Sequence, residues 1–308
     1  MGDKPKVLVL TSVHDAGERL SEVLESILAQ EGVELTLRAS DDCSKDGTWE
    51  RLQACKDAHD GVSVTRNGHA LGEAASFAKL LSSIDAGAYD YVAFAGQGDV
   101  WRPGKLAAAV SRISSSAPEP ELYYGGVNLV GPDGQSKGNR YAVCGKLAAK
   151  PLSVLLVENW ADLSTMVVNR MLLRFLQQHR NTDYGRSFAT WVHAVCVCLD
   201  GRCASDFGEC HVDRPAEGEG PEHGLYDAGG SALPAGEAAK KARTKMARRL
   251  VEGYESLMEE DLHEIVCAVM YRETSFACRV ELASCERIAM PSSARSATLR
   301  SRLLANRL

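Results

Sequence analysis

The sequence predicts an α/β protein in which a mostly parallel sheet is flanked by helices and followed by a C-terminal helical extension. Three observations carry this. Over the first 110 residues, short apolar runs rich in Val and Leu alternate with segments of helical periodicity, the pattern of strands buried on both faces and joined by crossover helices. From Tyr123 onward the regular alternation stops. After a stretch rich in Gly, Pro and Glu (214–236), long segments of helical spacing follow to the end.

In order, Lys6-Val-Leu-Val-Leu10 reads as a first buried strand, and Leu20, Val23, Leu24, Ile27 and Leu28 recur at helical spacing after a turn at Asp15-Ala-Gly17. Val33–Ser40 is a second strand, and Thr48–Ala58 a helix that Thr48 or Ser44 can cap. Val62–Thr65, Ala74–Ile84 and Tyr89–Ala95 read as strand, helix and strand. Leu122–Leu129 is a further strand ending near a Gly131-Pro-Asp-Gly134 turn. Leu152–Leu156 and Met171–Gln178 are helical, Trp191–Leu199 is an apolar element, and Glu237–Tyr254, Glu260–Tyr271 and Ser292–Leu308 are helical. The predicted division is an α/β domain over 1–215, a flexible linker over 216–236 and a helical extension over 237–308.

Composition bounds the function. With 308 residues, 45% hydrophobic and 25% charged, the chain can bury a sizeable core and is neither disordered nor fibrous. A net charge of −6 argues against a nucleic-acid binder that works by bulk charge. The first residues carry no apolar export segment, so the ten cysteines read as reduced thiols of a cytoplasmic protein. No window approaches the ~20 apolar residues of a membrane span. The terminal basic helix (Arg295, Arg300, Arg302, Arg307) suits peripheral contact with anionic head groups at the inner face of a membrane. Cys196-x-Cys198 and the later Cys203, Cys210 and His211 lack the paired spacing of a zinc site and read as core thiols.

Three loops should sit at the carboxyl ends of parallel strands, where open α/β sheets bind ligands. They are Thr11-Ser-Val-His-Asp-Ala-Gly-Glu18, Ser40-Asp-Asp-Cys-Ser-Lys-Asp-Gly47 and Gly96-Gln-Gly-Asp-Val-Trp-Arg-Pro103. The first, with the run Leu20–Gln30, resembles the Pro-Val-Tyr-Asn-Ala-Gly-Glu-Tyr-Leu opening of the inverting family 2 glycosyltransferases of GT-A fold. The second resembles that family's Asp-Asp-Gly-Ser-x-Asp-Gly-Thr loop. The third, through Val100-Trp-Arg-Pro-Gly-Lys-Leu106, resembles the metal-binding DxD strand and loop of the rhamnosyltransferase-like branch.

The resemblance implies a nucleotide-sugar-binding transferase with a UDP- or dTDP-linked donor and a glycan or lipid-linked acceptor, acting in polysaccharide biosynthesis. By position, His14 falls at the site that stacks on the base, Asp15 at the polar site after it, and Asp42 at the base-reading site beside Asp41. Ser12 and Asp99 complete the nucleotide-binding set. The implied cofactor is Mg²⁺ or Mn²⁺, which needs oxygen ligands. Here the two DxD positions are Gly96 and Gly98, leaving Asp99 alone as a poor metal ligand. Arg66, Lys79, Arg102 or Lys105 are cations able to offset phosphate charge instead.

The position expected to supply the catalytic base falls on Thr190, which is no base near neutral pH. Asp183 and then His193 are the substitutes. A degenerate member that binds a nucleotide or a partner transferase without turnover is the alternative.

Overall fold

A computed structural model of the chain describes residues 3–141, 152–155, 161–178, 188–216, 237–272, 274–286, 288 and 293–304. The first half follows the expected alternation: β1 (Lys6–Val13), α1 (Leu20–Leu28), β2 (Glu34–Asp41), α2 (Thr48–Ala58), β3 (Val62–Arg66), α3 (Glu73–Ser82) and β4 (Tyr91–Ala95). Strands β3-β2-β1-β4 lie side by side and parallel. Val7, Leu8, Val9 and Leu10 are fully buried, as expected of a strand covered by helices on both faces. Helix α1 covers one face by burying Leu20, Val23, Leu24 and Ile27.

The second half departs from simple alternation. After β5 (Val100–Trp101) and α4 (Lys105–Val110) come β6 (Glu121–Val130), β7 (Ser136–Asn139), β8 (Val167–Asn169), α5 (Arg170–Gln178), α6 (Phe188–Cys198) and β9 (Arg202–Pro215). The sheet continues β4-β8-β6-β9-β5, with β7 on β6. Here β8 runs antiparallel to both β4 and β6, and β5 antiparallel to β9, so the parallel pattern holds for the first four strands and the later ones make the sheet mixed.

Strand β9 left no clear mark in the sequence because most of its residues are only partly buried and show no regular alternation; Arg214 and Pro215, at the start of the Gly-, Pro- and Glu-rich stretch, belong to it. Helix α6 was ambiguous for the opposite reason. All eleven of its residues are buried, so no polar face marks its period.

The C-terminal helices α7 (Glu237–Tyr254), α8 (Glu260–Tyr271), α9 (Phe276–Ser284) and α10 (Ser293–Leu304) follow. Tyr254 is fully buried, its hydroxyl donates to the Phe175 carbonyl at 3.0 Å, and its ring meets Trp191. The extension is thereby packed onto α5 and α6. Of the 216–236 linker only Ala216 is among the described residues. None of the helices described is long and apolar enough to cross a membrane.

Candidate functional site

The carboxyl ends of β1, β2 and β4 lead into three neighbouring loops joined by direct hydrogen bonds. The Asp15, Ala16 and Gly17 amides donate to Ser44 Oγ, Thr48 Oγ1 and Asp46 Oδ2 at 3.0, 2.9 and 2.8 Å. In return Asp15 Oδ1 accepts from the Lys45 amide at 2.7 Å. The His14 amide donates to Gln97 Oε1 at 2.7 Å, which ties the third loop to the first. Successive small polar side chains in the second loop thus satisfy the backbone donors of the first, so the platform is set before any ligand arrives.

His14 lies on top of this platform with half of its side chain exposed. Its Nδ1 is 2.8 Å from the Asp42 carbonyl, which only accepts, so Nδ1 carries the proton, while Nε2 lies 3.5 Å from Asp15 Oδ2. Ser12, at the end of β1, is half-buried.

The aspartates differ from expectation. Asp42 is only 4% exposed, and its oxygens accept from Asn67 Nδ2 at 2.9 Å, the Leu71 amide at 2.8 and 3.1 Å and the Gly72 amide at 2.7 Å. Burial alone would push its acidity down, but these donors and nearby His14 outweigh it and hold the carboxyl below its ordinary pKa. Its acceptor capacity is spent on the 67–72 loop, so Asp42 builds the floor of the site rather than reading a base. Asp41 is fully buried, accepting from the Ser44 amide and paired with Arg66 Nε at 2.9 Å. Asp15 is exposed but committed through one oxygen to the second loop, on backbone at φ 45°.

At the third loop Asp99 is 3% exposed and both its oxygens are turned to Arg214 of β9. Arg214 Nε and Nη2 each reach an Asp99 oxygen at 2.7 Å, while Nη1 and Nη2 each reach an Asp162 oxygen at 2.8 Å. Burial opposes the Arg214 charge, but Asp162 and Asp99 outweigh it and keep the guanidinium firmly protonated. Asp162 in turn caps the 163–165 turn and lies 3.9 Å from Arg140.

The residues present do not fit Mg²⁺ or Mn²⁺. Gly96 and Gly98 offer no side-chain oxygen, and both Asp99 oxygens are taken by a cation. Nor is Gly96 replaceable at will, because a Cβ there would lie 2.6 Å from Ser164 Oγ, the acceptor of its own amide; Gly98 has open space. Among the described residues no cluster of His, Cys, Asp or Glu could hold a metal ion.

The base candidates separate. Asp183 lies outside the described residues. His193 is fully buried on α6, against the Tyr124 ring at 5.2 Å and hydrogen-bonded to the Cys203 thiol, so no acceptor hydroxyl reaches it. It is a core histidine, a correction the apolar surroundings Trp191–Cys198 hinted at. Thr190 is likewise buried on α6. Cys196, Cys198 and Cys203 are buried free thiols, with Cys196 and Cys203 sulfurs 3.9 Å apart.

Sequence reasoning gave Arg214 and Lys105 too little weight. Lys105 is 1% exposed and stands over the Trp101 ring, its Nζ 3.6 Å from the centroid with no hydrogen-bond acceptor. Gly104, at φ +82°, turns the chain so that this side chain folds inward. Burial pushes its pKa down to about 7, against the pull of Asp99 and Asp162.

Two outcomes follow from these contacts. Asp42→Asn leaves an amide facing the Gly72 N–H, and is expected to cost about 1.5–3 kcal/mol and to speed amide exchange at Leu71 and Gly72; unchanged exchange there would show that Asp42 does not hold the loop. Lys105 has a folded pKa of about 7 against 10.5 when unfolded, so its burial costs most stability below pH 7 and the cost fades as pH rises toward 10.5. Lys105→Met is expected to melt above the parent protein by a margin that shrinks from pH 6 to pH 10, as scanning calorimetry at both pH values would show.

Comparisons with known proteins agree with this architecture. Residues 8–141 match the family described as "Glycosyl transferase family 2". A dTDP-rhamnosyl transferase, RfbG, of Shigella flexneri is 29% identical over 96 residues. That match takes in 30% of this chain and 32% of that protein, so the chain spans about a third of the length of this relative. S. aureus TarS 1–349 in complex with UDP-GlcNAc aligns with a TM-score of 0.59 at 14% identity, over 98% of this chain and 80% of that one. The mannosyltransferase PcManGT from Pyrobaculum calidifontis, in complex with GDP-Man and Mn²⁺, aligns at 0.50 and 16% identity over 98% and 81%. Residues 8–141 thus resemble glycosyltransferase family 2, and the chain shares the GT-A fold of the solved structures it aligns with.

Proposed function

We propose that the protein transfers a sugar from a UDP- or dTDP-linked donor to a glycan or lipid-linked acceptor, with inversion at the anomeric carbon. The observation that carries this reading is the loop platform at the ends of β1, β2 and β4, prebuilt by its own hydrogen bonds and topped by the half-exposed His14 side chain. A nucleobase stacks on aromatic rings of this kind. The likeness to a dTDP-rhamnosyl transferase and to a structure holding UDP-GlcNAc supports a nucleotide-sugar donor. Asp183 is the carboxylate assigned to deprotonate the acceptor hydroxyl, now that His193 is confined to the core. We place the protein in the cytoplasm, with its basic terminal helix toward anionic head groups.

A second reading, nucleotide binding without turnover, is favoured by one specific feature: Thr190 stands where the base is expected and is buried. A panel of UDP- and dTDP-sugars, assayed for hydrolysis and for transfer to lipid-linked acceptors, separates the two. The transferase reading expects turnover of at least one donor. His14→Ala is expected to raise the donor KM about tenfold to a hundredfold through lost stacking. Asp183→Asn is expected to lower kcat by about 10²–10⁴; full activity would remove Asp183 from the mechanism. A donor that binds and is never turned over would establish the second reading instead.

A further inference from the structure

A nucleoside diphosphate brings concentrated negative charge to a site that must offset it, and the third loop has lost the oxygen ligands that would hold a divalent cation there. The chain's own cations must then supply the positive charge. Arg66 is taken by Asp41 and the Ser44 carbonyl, Lys79 by Asn67 Oδ1, and Arg102 by both oxygens of Asp213.

Lys105 is different. It is buried, rests on Trp101 and donates no hydrogen bond. The two carboxylates it feels, Asp99 and Asp162, are already bridged by Arg214. Arg214 spends four of its five N–H groups on that bridge, leaving one on Nη1. A buried ammonium without an acceptor is costly to the fold, so the ligand-free protein gains nothing by keeping it. A charge buried in this way is little screened by water.

Resting on the transferase reading above, we propose that Lys105, backed by the Asp99–Arg214–Asp162 bridge, takes the place of the divalent metal in holding the donor's diphosphate. The bridge fixes Arg214 and neutralises Asp99, which would otherwise repel the phosphates. Gly96 and Gly98 keep the loop free of further negative charge.

The test is calorimetric titration of the full chain with UDP, dTDP and the nucleosides uridine and thymidine, in EDTA and in Mn²⁺. At least one diphosphate is expected to bind with a Kd that agrees within about twofold between the two conditions. In EDTA, Lys105→Met is expected to weaken that diphosphate about tenfold or more while nucleoside affinity stays within about twofold. Melting curves verify the fold of each variant, and Lys105→Gln takes the place of any Lys105→Met protein that fails to fold. Tightening of the wild-type diphosphate complex by about tenfold in Mn²⁺, or unchanged diphosphate affinity in the folded Lys105 variant, would overturn the proposal and leave the transferase reading standing. Failure of both diphosphates to bind in either condition would overturn the transferase reading and this proposal with it.

Discussion

The guanidinium of Arg214 is the interaction on which the site depends. It lies on β9, far along the chain from the loop after β4, yet holds that loop through Asp99 and the 163–165 turn through Asp162. It thereby joins the parallel half of the sheet to the later, mixed half at the end of the strands where ligands bind. Taking charges out of water is costly, and a buried pair repays this only when its geometry is good and its remaining donors are satisfied. Two carboxylates take four of the five Arg214 N–H groups, which goes most of the way to that requirement. Removing one partner would leave an uncompensated buried charge, a loss of about 3–5 kcal/mol in comparable cases.

The same logic explains the first two loops. A ligand platform made of irregular backbone exposes many amide donors, and each one left unpaired would cost stability. Here Ser44, Asp46 and Thr48 pair the amides of Asp15, Ala16 and Gly17, while Asp42 pairs those of Leu71 and Gly72. The loops are rigid as a consequence of satisfying themselves. Such a site leaves little ordering entropy to be lost when a ligand arrives.

The sequence made β1 to β4 and their helices legible because alternating burial leaves a clear period. Thr48–Ala58 and Leu20–Leu28 were readable to the residue. Strand β9 and helix α6 were not: one is half-exposed and polar along its length, the other buried on every side, and neither shows a face. At the site, spacing located the three loops at the ends of β1, β2 and β4. It misjudged the aspartates, since sequence shows that a carboxylate is present but not which donors its own fold turns toward it. Asp42 and Asp99 look like ligand-facing residues until Leu71, Gly72 and Arg214 are seen to occupy them.

Losing the DxD carboxylates need not mean losing the diphosphate site, because what a phosphate group requires is positive potential, not a particular ion. A divalent cation delivers that potential only when acidic ligands hold it, and those ligands repel the substrate whenever the metal is absent. A side-chain cation has the opposite economy: it needs no acidic ligands to hold it, but its burial weakens the resting fold and lowers its pKa. Lys105 shows the signs of that second arrangement, with a depressed pKa, an aromatic support and no acceptor. Once Gly96 and Gly98 removed the acidic ligands, Asp99 alone would have been an unmatched negative charge beside the phosphates. Arg214 cancels it. On the proposed reading, the glycines of the third loop and the ionic bridge behind it serve the same charge balance.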